Sequence, residues 1–205
     1  MNRTRIDRIN LDLKNVKIFN LRLSAFYLFL LFSSTFLISA CSSGLSSIYN
    51  FDYPLTKTTA KSTSGNLNAQ IPVGWFVAED NENNTTDLWL IKDDYSATIK
   101  FVFISLNEEM TKSSGKDVIS RIVELNKVLI KSKYGKSFKG FTNEEQFGDS
   151  PAFSAYQYLD DKNIPVRVVV FNIGSNYFES TAFGINSTNP AEIFKAQNSI
   201  LASIK

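Results

Sequence analysis

The sequence contains no histidine and only one cysteine, Cys41, in 205 residues. Without histidine there is no imidazole to serve as a catalytic base or a metal ligand. With one thiol, the chain can form neither an internal disulfide nor a cysteine-ligated metal cluster. A phosphate-binding glycine loop and a Gly-x-Ser-x-Gly turn are also absent. These absences favour a protein that is not an enzyme and that needs no metal or cofactor.

Charge is concentrated at the N-terminus and then disappears. Residues 1–22 carry six basic and two acidic side chains, and residues 23–51 carry none. Residues 23–37 are strongly apolar, and small residues follow them. A basic segment, an apolar segment and small residues, in that order, are typical of an export signal. The pattern therefore predicts that the protein leaves the cytoplasm.

The small residues end at the cysteine, in Leu37-Ile38-Ser39-Ala40-Cys41. This segment resembles the bacterial lipobox, an aliphatic residue and two small residues before a cysteine. The resemblance implies that residues 1–40 are a lipoprotein signal peptide and that the sulfur of Cys41 receives a diacylglycerol. An uncleaved signal anchor is the alternative, because residues 23–40 approach the length that spans a bilayer. Four hydroxyl side chains near the end of that segment weaken the alternative.

Beyond residue 40 the chain carries 16 basic and 18 acidic residues, so the positive charge of the whole sequence does not indicate nucleic-acid binding. Residues 41–66 are rich in serine and threonine and lack apolar periodicity, which predicts a flexible tether. Ile48, Tyr49, Phe51 and Tyr53 are the exception, since part of this segment could dock on the domain or on the lipid surface. Residues 67–205 have the size of a single domain.

Within that domain the apolar pattern predicts an α+β fold of order β-β-β-β-α-β-β-β-β-α. Short turns between successive strands make the sheet mostly antiparallel. The strands at 97–106 and 166–173 are apolar on both faces, so we expect helices on both sides of the sheet, an α/β/α sandwich. The other strands are expected at 67–71, 75–78, 86–92, 137–147, 152–159 and 177–185. One helix is expected at 116–134, and another begins at the Asn189 cap with Pro190 in its first turn.

The helix at 116–134 has an apolar stripe at helical spacing. Val118, Ile122, Leu125 and Leu129 form the stripe, and Ile119 and Val123 widen it. This spacing predicts that these six side chains pack against the sheet.

Several motifs resemble the PsbP/DcrB-like superfamily, which includes PsbP of photosystem II, the DcrB lipoprotein and Ran nucleotide-release factors. They are Ile71-Pro72-Val73-Gly74-Trp75, Phe147-Gly148-Asp149-Ser150-Pro151-Ala152, a strand ending at Phe171, and a C-terminal segment from Phe194 to Lys205. The resemblance covers residues 67–205. It implies an antiparallel sheet between helices and a role in binding or assembly rather than catalysis. Neither metal binding nor Ran binding is carried over, since histidine is absent and the chain is exported.

Five lysines lie within thirteen residues that contain no acid: Lys127, Lys131, Lys133, Lys136 and Lys139. Cations are favourable at a helix C-terminus, which is the structural interpretation. The functional interpretation is a contact with anionic lipid headgroups or with an acidic partner.

The sequence therefore predicts a non-catalytic, lipid-anchored binding or assembly protein of the bacterial envelope, with a membrane and an envelope protein as partners. In a Gram-negative cell, Ser42 after the lipidated cysteine favours the periplasmic face of the outer membrane. The alternative is a lipoprotein that binds a small apolar ligand beside Phe101, Phe103, Tyr156, Tyr158 and Phe171. A hydrolase is a third hypothesis. It is weak because the adjacent acidic residues, such as Asp93-Asp94 and Asp160-Asp161, lie beside predicted turns.

Overall fold

The computed structural model describes residues 51–79, 86–106, 115–147, 152–185 and 189–204. The predicted signal peptide, the lipidation residue Cys41 and the turn at 148–151 lie outside the described residues.

The described residues form two antiparallel sheets and two helices. The larger sheet has seven strands in the order β3-β4-β5-β9-β8-β7-β6, and β1 and β2 pair separately. The strands are β1 Leu55–Lys61, β2 Asn68–Pro72, β3 Trp75–Val77, β4 Leu88–Lys92, β5 Ala97–Ile104, β6 Phe141–Phe147, β7 Phe153–Leu159, β8 Pro165–Ile173 and β9 Asn176–Gly184. The helices are α1 Gly115–Tyr134, which runs into a 3-10 turn at Gly135–Ser137, and α2 Pro190–Ser203.

The large sheet lies between the two helices because its central strands bury side chains on both faces. In β8, Val166, Val168 and Val170 pack in one cluster with residues of α1. The alternate residues Val169 and Phe171 pack in a second cluster with residues of α2. This alternation is the two-residue period of a strand. The predicted α/β/α sandwich with a mostly antiparallel sheet is confirmed.

The predicted tether is wrong at its C-terminal end, because residues 55–61 form β1 and pair with β2. Threonine is β-branched and suits a strand, so a segment rich in hydroxyl groups need not be flexible. Ala60 is buried in the core. The Tyr53 amide donates to Ser199 Oγ at 3.0 Å, which fixes the chain before β1 to α2.

The turn between β2 and β3 has a structural role. Pro72 ends β2, and Gly74 has a φ of 79°, a conformation that glycine adopts without strain. Trp75 follows with 6% of its surface exposed. Its Nε1 donates to the hydroxyl of Tyr53 at 3.3 Å. The tryptophan therefore closes one edge of the core.

The ends of the other elements lie near their predicted bounds, and the largest shift is at β6. Helix α2 begins as predicted, with Asn189 Oδ1 accepting a hydrogen bond from the Glu192 amide at 3.4 Å. Strand β6 begins at Phe141 rather than at 137. The chain first completes the 3-10 turn after α1, and Gly135 and Gly140 both have positive φ there.

Candidate functional site

Helix α1 does not bury the whole apolar stripe that its sequence suggests. Val118, Ile119, Ile122 and Val123 are buried, as predicted. Leu125, Val128 and Leu129 are instead 57%, 62% and 58% exposed. The prediction that Leu125 and Leu129 pack against the sheet is therefore wrong. Residues 126, 127, 130 and 134 take the inward positions instead, and two of them, Asn126 and Lys127, are polar.

A hydrogen bond to the sheet explains why Asn126 faces inward. Its Nδ2 donates to Glu179 Oε2 on β9. Thr181 Oγ1 donates to the other carboxylate oxygen of Glu179 at 3.0 Å. A half-buried carboxylate without such donors would be destabilising, so this contact favours the orientation of α1 that places Asn126 over β9.

Lys127 connects α1 to β6 through an ion pair with Glu144. Its Nζ lies 2.9 Å from Glu144 Oε2 and 3.3 Å from Glu124 Oε1, and 14% of its side chain is exposed. The same nitrogen lies 5.7 Å from the ring centre of Phe141. Burial by itself lowers the pKa of Lys127, but the hydrogen bonds to Glu144 and Glu124 outweigh it and the pKa is raised. Lys127 is thus part of the packing and separate from the exposed lysines.

The other four predicted lysines are exposed. Lys131 and Lys133 lie in the last turn of α1, and Lys136 lies in the 3-10 turn. The Nζ of Lys133 lies 5.1 Å from the ring centre of its neighbour Tyr134. Lys139 differs, because its Nζ donates to Asn163 Oδ1 in the β7–β8 turn. Lys131, Lys133 and Lys136 are therefore exposed cations that follow the exposed apolar side chains of α1 along the chain.

We define the outer face of α1 as Leu125, Val128 and Leu129 together with the basic residues Arg121, Lys131, Lys133 and Lys136. All seven side chains are exposed. A face with an apolar centre and a cationic rim suits a surface whose outer layer is anionic and whose layer beneath is apolar. The lysines of the rim are visible in the sequence as a cluster of like charges. The spacing of Leu125 and Leu129, in contrast, predicted that they pack in the core.

Beneath α1, the fold changes the pKa of the Glu179 carboxyl. Burial raises its pKa, and the hydrogen bonds from Thr181 and Asn126 only partly oppose this effect. Burial, and then the nearby Glu179 carboxylate, also raise the pKa of the Tyr156 hydroxyl. The sequence carries no signal for this cluster, because Glu179 and Asn126 are 53 positions apart in the chain.

Replacing Glu179 by glutamine is expected to stabilise the protein at pH 7. The folded-state pKa of Glu179 is raised, so the stability linked to this group is greatest below the unfolded pKa of about 4.3. That stability is lost as the pH rises through the folded pKa. Glutamine keeps an acceptor oxygen and avoids the buried charge. Urea unfolding at several pH values checks this: the variant should exceed wild type at pH 7 and match it near pH 4. Glu79→Gln, at an exposed residue, is the control, and an equal pH profile in wild type and Glu179→Gln would contradict the argument.

Asp94 and Asp160, which lie beside turns, stabilise those turns by accepting hydrogen bonds from backbone amides. Asp160 Oδ1 accepts from the backbone amides of Lys162 at 2.9 Å and Ile164 at 2.7 Å. Asp94 Oδ1 accepts from the Ser96 amide at 2.9 Å, and Asp94 is paired with Lys92. Within the part of the chain that the structure describes, no group of three or more acidic or cysteine side chains is placed to hold a metal ion.

The aromatic residues suggested for a small ligand do not form one site. Phe101 and Phe171 belong to the core cluster beneath α2, whereas Tyr156 and Tyr158 lie with the cluster beneath α1. A cavity of about 190 Å³ does occur between the β8–β9 turn and the end of α2, next to Phe171. Pockets for small molecules are usually about 300–1,000 Å³. The cavity therefore gives little support to the ligand-binding alternative.

Comparisons with known proteins return similar structures but no related sequence. No family model matches the chain, and no curated protein matches it. The solution structure of cyanobacterial PsbP from Synechocystis is similar at 10% identity, over 72% of this chain and 91% of that one, with a TM-score of 0.47. A crystal structure from Bacteroides thetaiotaomicron is similar at 13% identity, over 75% of this chain and 48% of that one, with a TM-score of 0.41. Neither superposition is close enough to carry a functional argument.

Neither helix in the described ranges is both long enough and apolar enough to cross a bilayer.

Proposed function

We propose that this chain is a lipid-anchored, extracytoplasmic binding or assembly protein of the bacterial envelope, and that it is not an enzyme. The observation that carries the proposal is the outer face of α1, where Leu125, Val128 and Leu129 are exposed together. A single exposed leucine needs no explanation, but a contiguous apolar group with a polar rim is characteristic of interaction surfaces.

The N-terminal sequence supports the anchored location. The apolar segment before Ile38-Ser39-Ala40-Cys41 has the order of a lipoprotein signal, and a diacylglycerol on Cys41 with a further acyl chain would hold the protein stably at a membrane. Ser42 favours the outer membrane if the cell has one. Membership of the PsbP/DcrB-like superfamily is part of the same proposal, and it is supported by the motifs around Gly74-Trp75 and by the sandwich of helices and sheet.

Replacing Cys41 by serine is expected to abolish acylation completely, because the hydroxyl does not substitute for the thiolate nucleophile. The test is metabolic labelling of the full chain with a radioactive fatty acid in a bacterial host, followed by electrophoresis. Wild type should incorporate label and run at the size of residues 41–205, while Cys41→Ser should remain unlabelled and uncleaved.

The Ser42→Ala variant is a matched control, since it alters the neighbouring position without removing the sulfur of Cys41. Ser42→Ala should be labelled as wild type is. Absence of label from wild type, or label retained in Cys41→Ser, would show that the protein is not a lipoprotein.

A further inference from the structure

We infer that the outer face of α1 docks on the surface of an anionic phospholipid bilayer, so that the domain lies against a membrane instead of projecting from it. This inference rests on the proposed function and names the surface that the domain contacts.

The orientation of α1 about its axis supports docking. Leu125, Val128 and Leu129 face solvent while the polar residues Asn126 and Lys127 face the sheet. Three exposed apolar side chains on one helix face add nothing to the core, and such departures from local patterning are expected at functional sites. The inward residues are held by Glu179 and Glu144, so the apolar face cannot turn inward without breaking both contacts.

The second argument is the charge of the rim. The segment from 125 to 139 contains five lysines and no acid. The acid one turn earlier, Glu124, is already paired with Lys127. Lys131, Lys133 and Lys136 form no ion pair with an acid in the described ranges, so they give this end of the helix a positive charge that complements anionic headgroups.

The composition favours lipid over protein as the occupant. The centres of protein interfaces are enriched in tyrosine, tryptophan and arginine, and lysine is depleted there. Leucine and valine on one side with lysines beside them are typical of helices that lie in a membrane interface.

The third argument is the short distance to the proposed anchor. Nine residues, 42–50, lie between Cys41 and Phe51, the first described residue. Even fully extended, they span no more than about 36 Å. Tyr53 is bonded to Ser199 on α2, across the sheet from α1, so the chain must pass one edge of the domain for α1 to meet the bilayer. A domain tethered within this reach meets the bilayer at a high effective concentration, so weak contacts are enough to dock it.

The test places a polarity-sensitive dye on the helix. Val128→Cys in the full chain adds one thiol, and acylation blocks the other, so only position 128 reacts with a maleimide dye. The protein is purified from host membranes and reconstituted into phosphatidylcholine vesicles with or without phosphatidylglycerol. We expect a blue shift and quenching by lipid-borne nitroxides only in the anionic vesicles. Both signals should weaken at high salt.

A dye on Thr59→Cys, an exposed position on β1, is the matched control. It should show neither a blue shift nor quenching in any of the vesicles. Lys131→Glu, Lys133→Glu and Lys136→Glu together should lower the docked-to-free ratio by at least about five-fold per lysine. The same change at the exposed residues Lys57, Lys61 and Lys162 should leave the ratio unchanged.

The outcomes separate the two proposals. Two dyes per chain would show that Cys41 is not acylated, and the proposed function would then fail. One dye per chain with no blue shift in anionic vesicles would overturn the docking inference and leave the anchor in place. A shift that persists in the Lys131, Lys133 and Lys136 variant would also overturn it.

Discussion

Replacing Phe171 by alanine is expected to lower the free energy of unfolding by about 3–5 kcal/mol. Phe171 is 1% exposed and lies at the centre of an aromatic cluster. Its ring is stacked on those of Phe178 and Phe153, with centroids 5.5 Å and 5.9 Å away, and meets Phe101 edge-on at 6.3 Å. Alanine would remove all three ring contacts and leave a cavity that these rigid neighbours cannot fill.

Urea unfolding followed by the fluorescence of Trp75 and Trp89 measures this loss. Phe171→Leu should cost less, because it keeps most of the side-chain volume. Val128→Ala is the control for an apolar residue on the outer face of α1, and it should change stability by no more than about 0.5 kcal/mol. If Phe171→Ala and Val128→Ala had similar effects, the packing described here would be incorrect.

Replacing Asn198 by alanine is expected to cost about 1.5–3 kcal/mol, because it removes an acceptor from a buried guanidinium. Arg167 on β8 is 1% exposed. Its Nη1 donates to Asn198 Oδ1 at 2.6 Å and to the Phe194 carbonyl at 3.4 Å, while its buried Nη2 has no hydrogen-bond partner among the described residues. Burial lowers the pKa of Arg167 to about 10, with Glu145 opposing the shift.

A double-mutant cycle separates this charge effect from the packing of Asn198. Arg167→Met removes the buried charge and keeps an apolar chain, so its stability should be equal to or above that of wild type. In the Arg167→Met background, Asn198→Ala should lose less than half of its cost. An equal cost in both backgrounds would show that Asn198 acts through contacts other than the one to Arg167.

Local sequence patterns predicted most of the elements correctly. Alternation in β8 placed Val168 and Phe171 on opposite faces because successive side chains of a strand must point in opposite directions. The cap at Asn189 and the glycine turn at Gly74 were also predictable, since both depend on neighbouring residues alone. The strand β1 at 55–61, which lies within the predicted tether, could not be predicted. A strand rich in threonine forms only where a partner strand is available. That partner, β2, could be recognised as a strand, but its pairing with β1 could not.

The candidate site was only half predictable. The lysines Lys131, Lys133 and Lys136 were visible as a run of like charges. The exposure of Leu125 and Leu129 was not, because an apolar residue at helical spacing is compatible with either side of the helix until the packing partner is known.

By itself, the sequence determined which chemistry this protein lacks, the succession of strands and helices, and the two-faced burial of the sheet, since these depend on residue type and short-range periodicity. The tertiary structure alone decided which side of α1 faces the sheet. Asn126 and Lys127 turn inward to Glu179 and Glu144, residues distant in the chain. With these two polar side chains on the inner side, Leu125, Val128 and Leu129 are left in solvent.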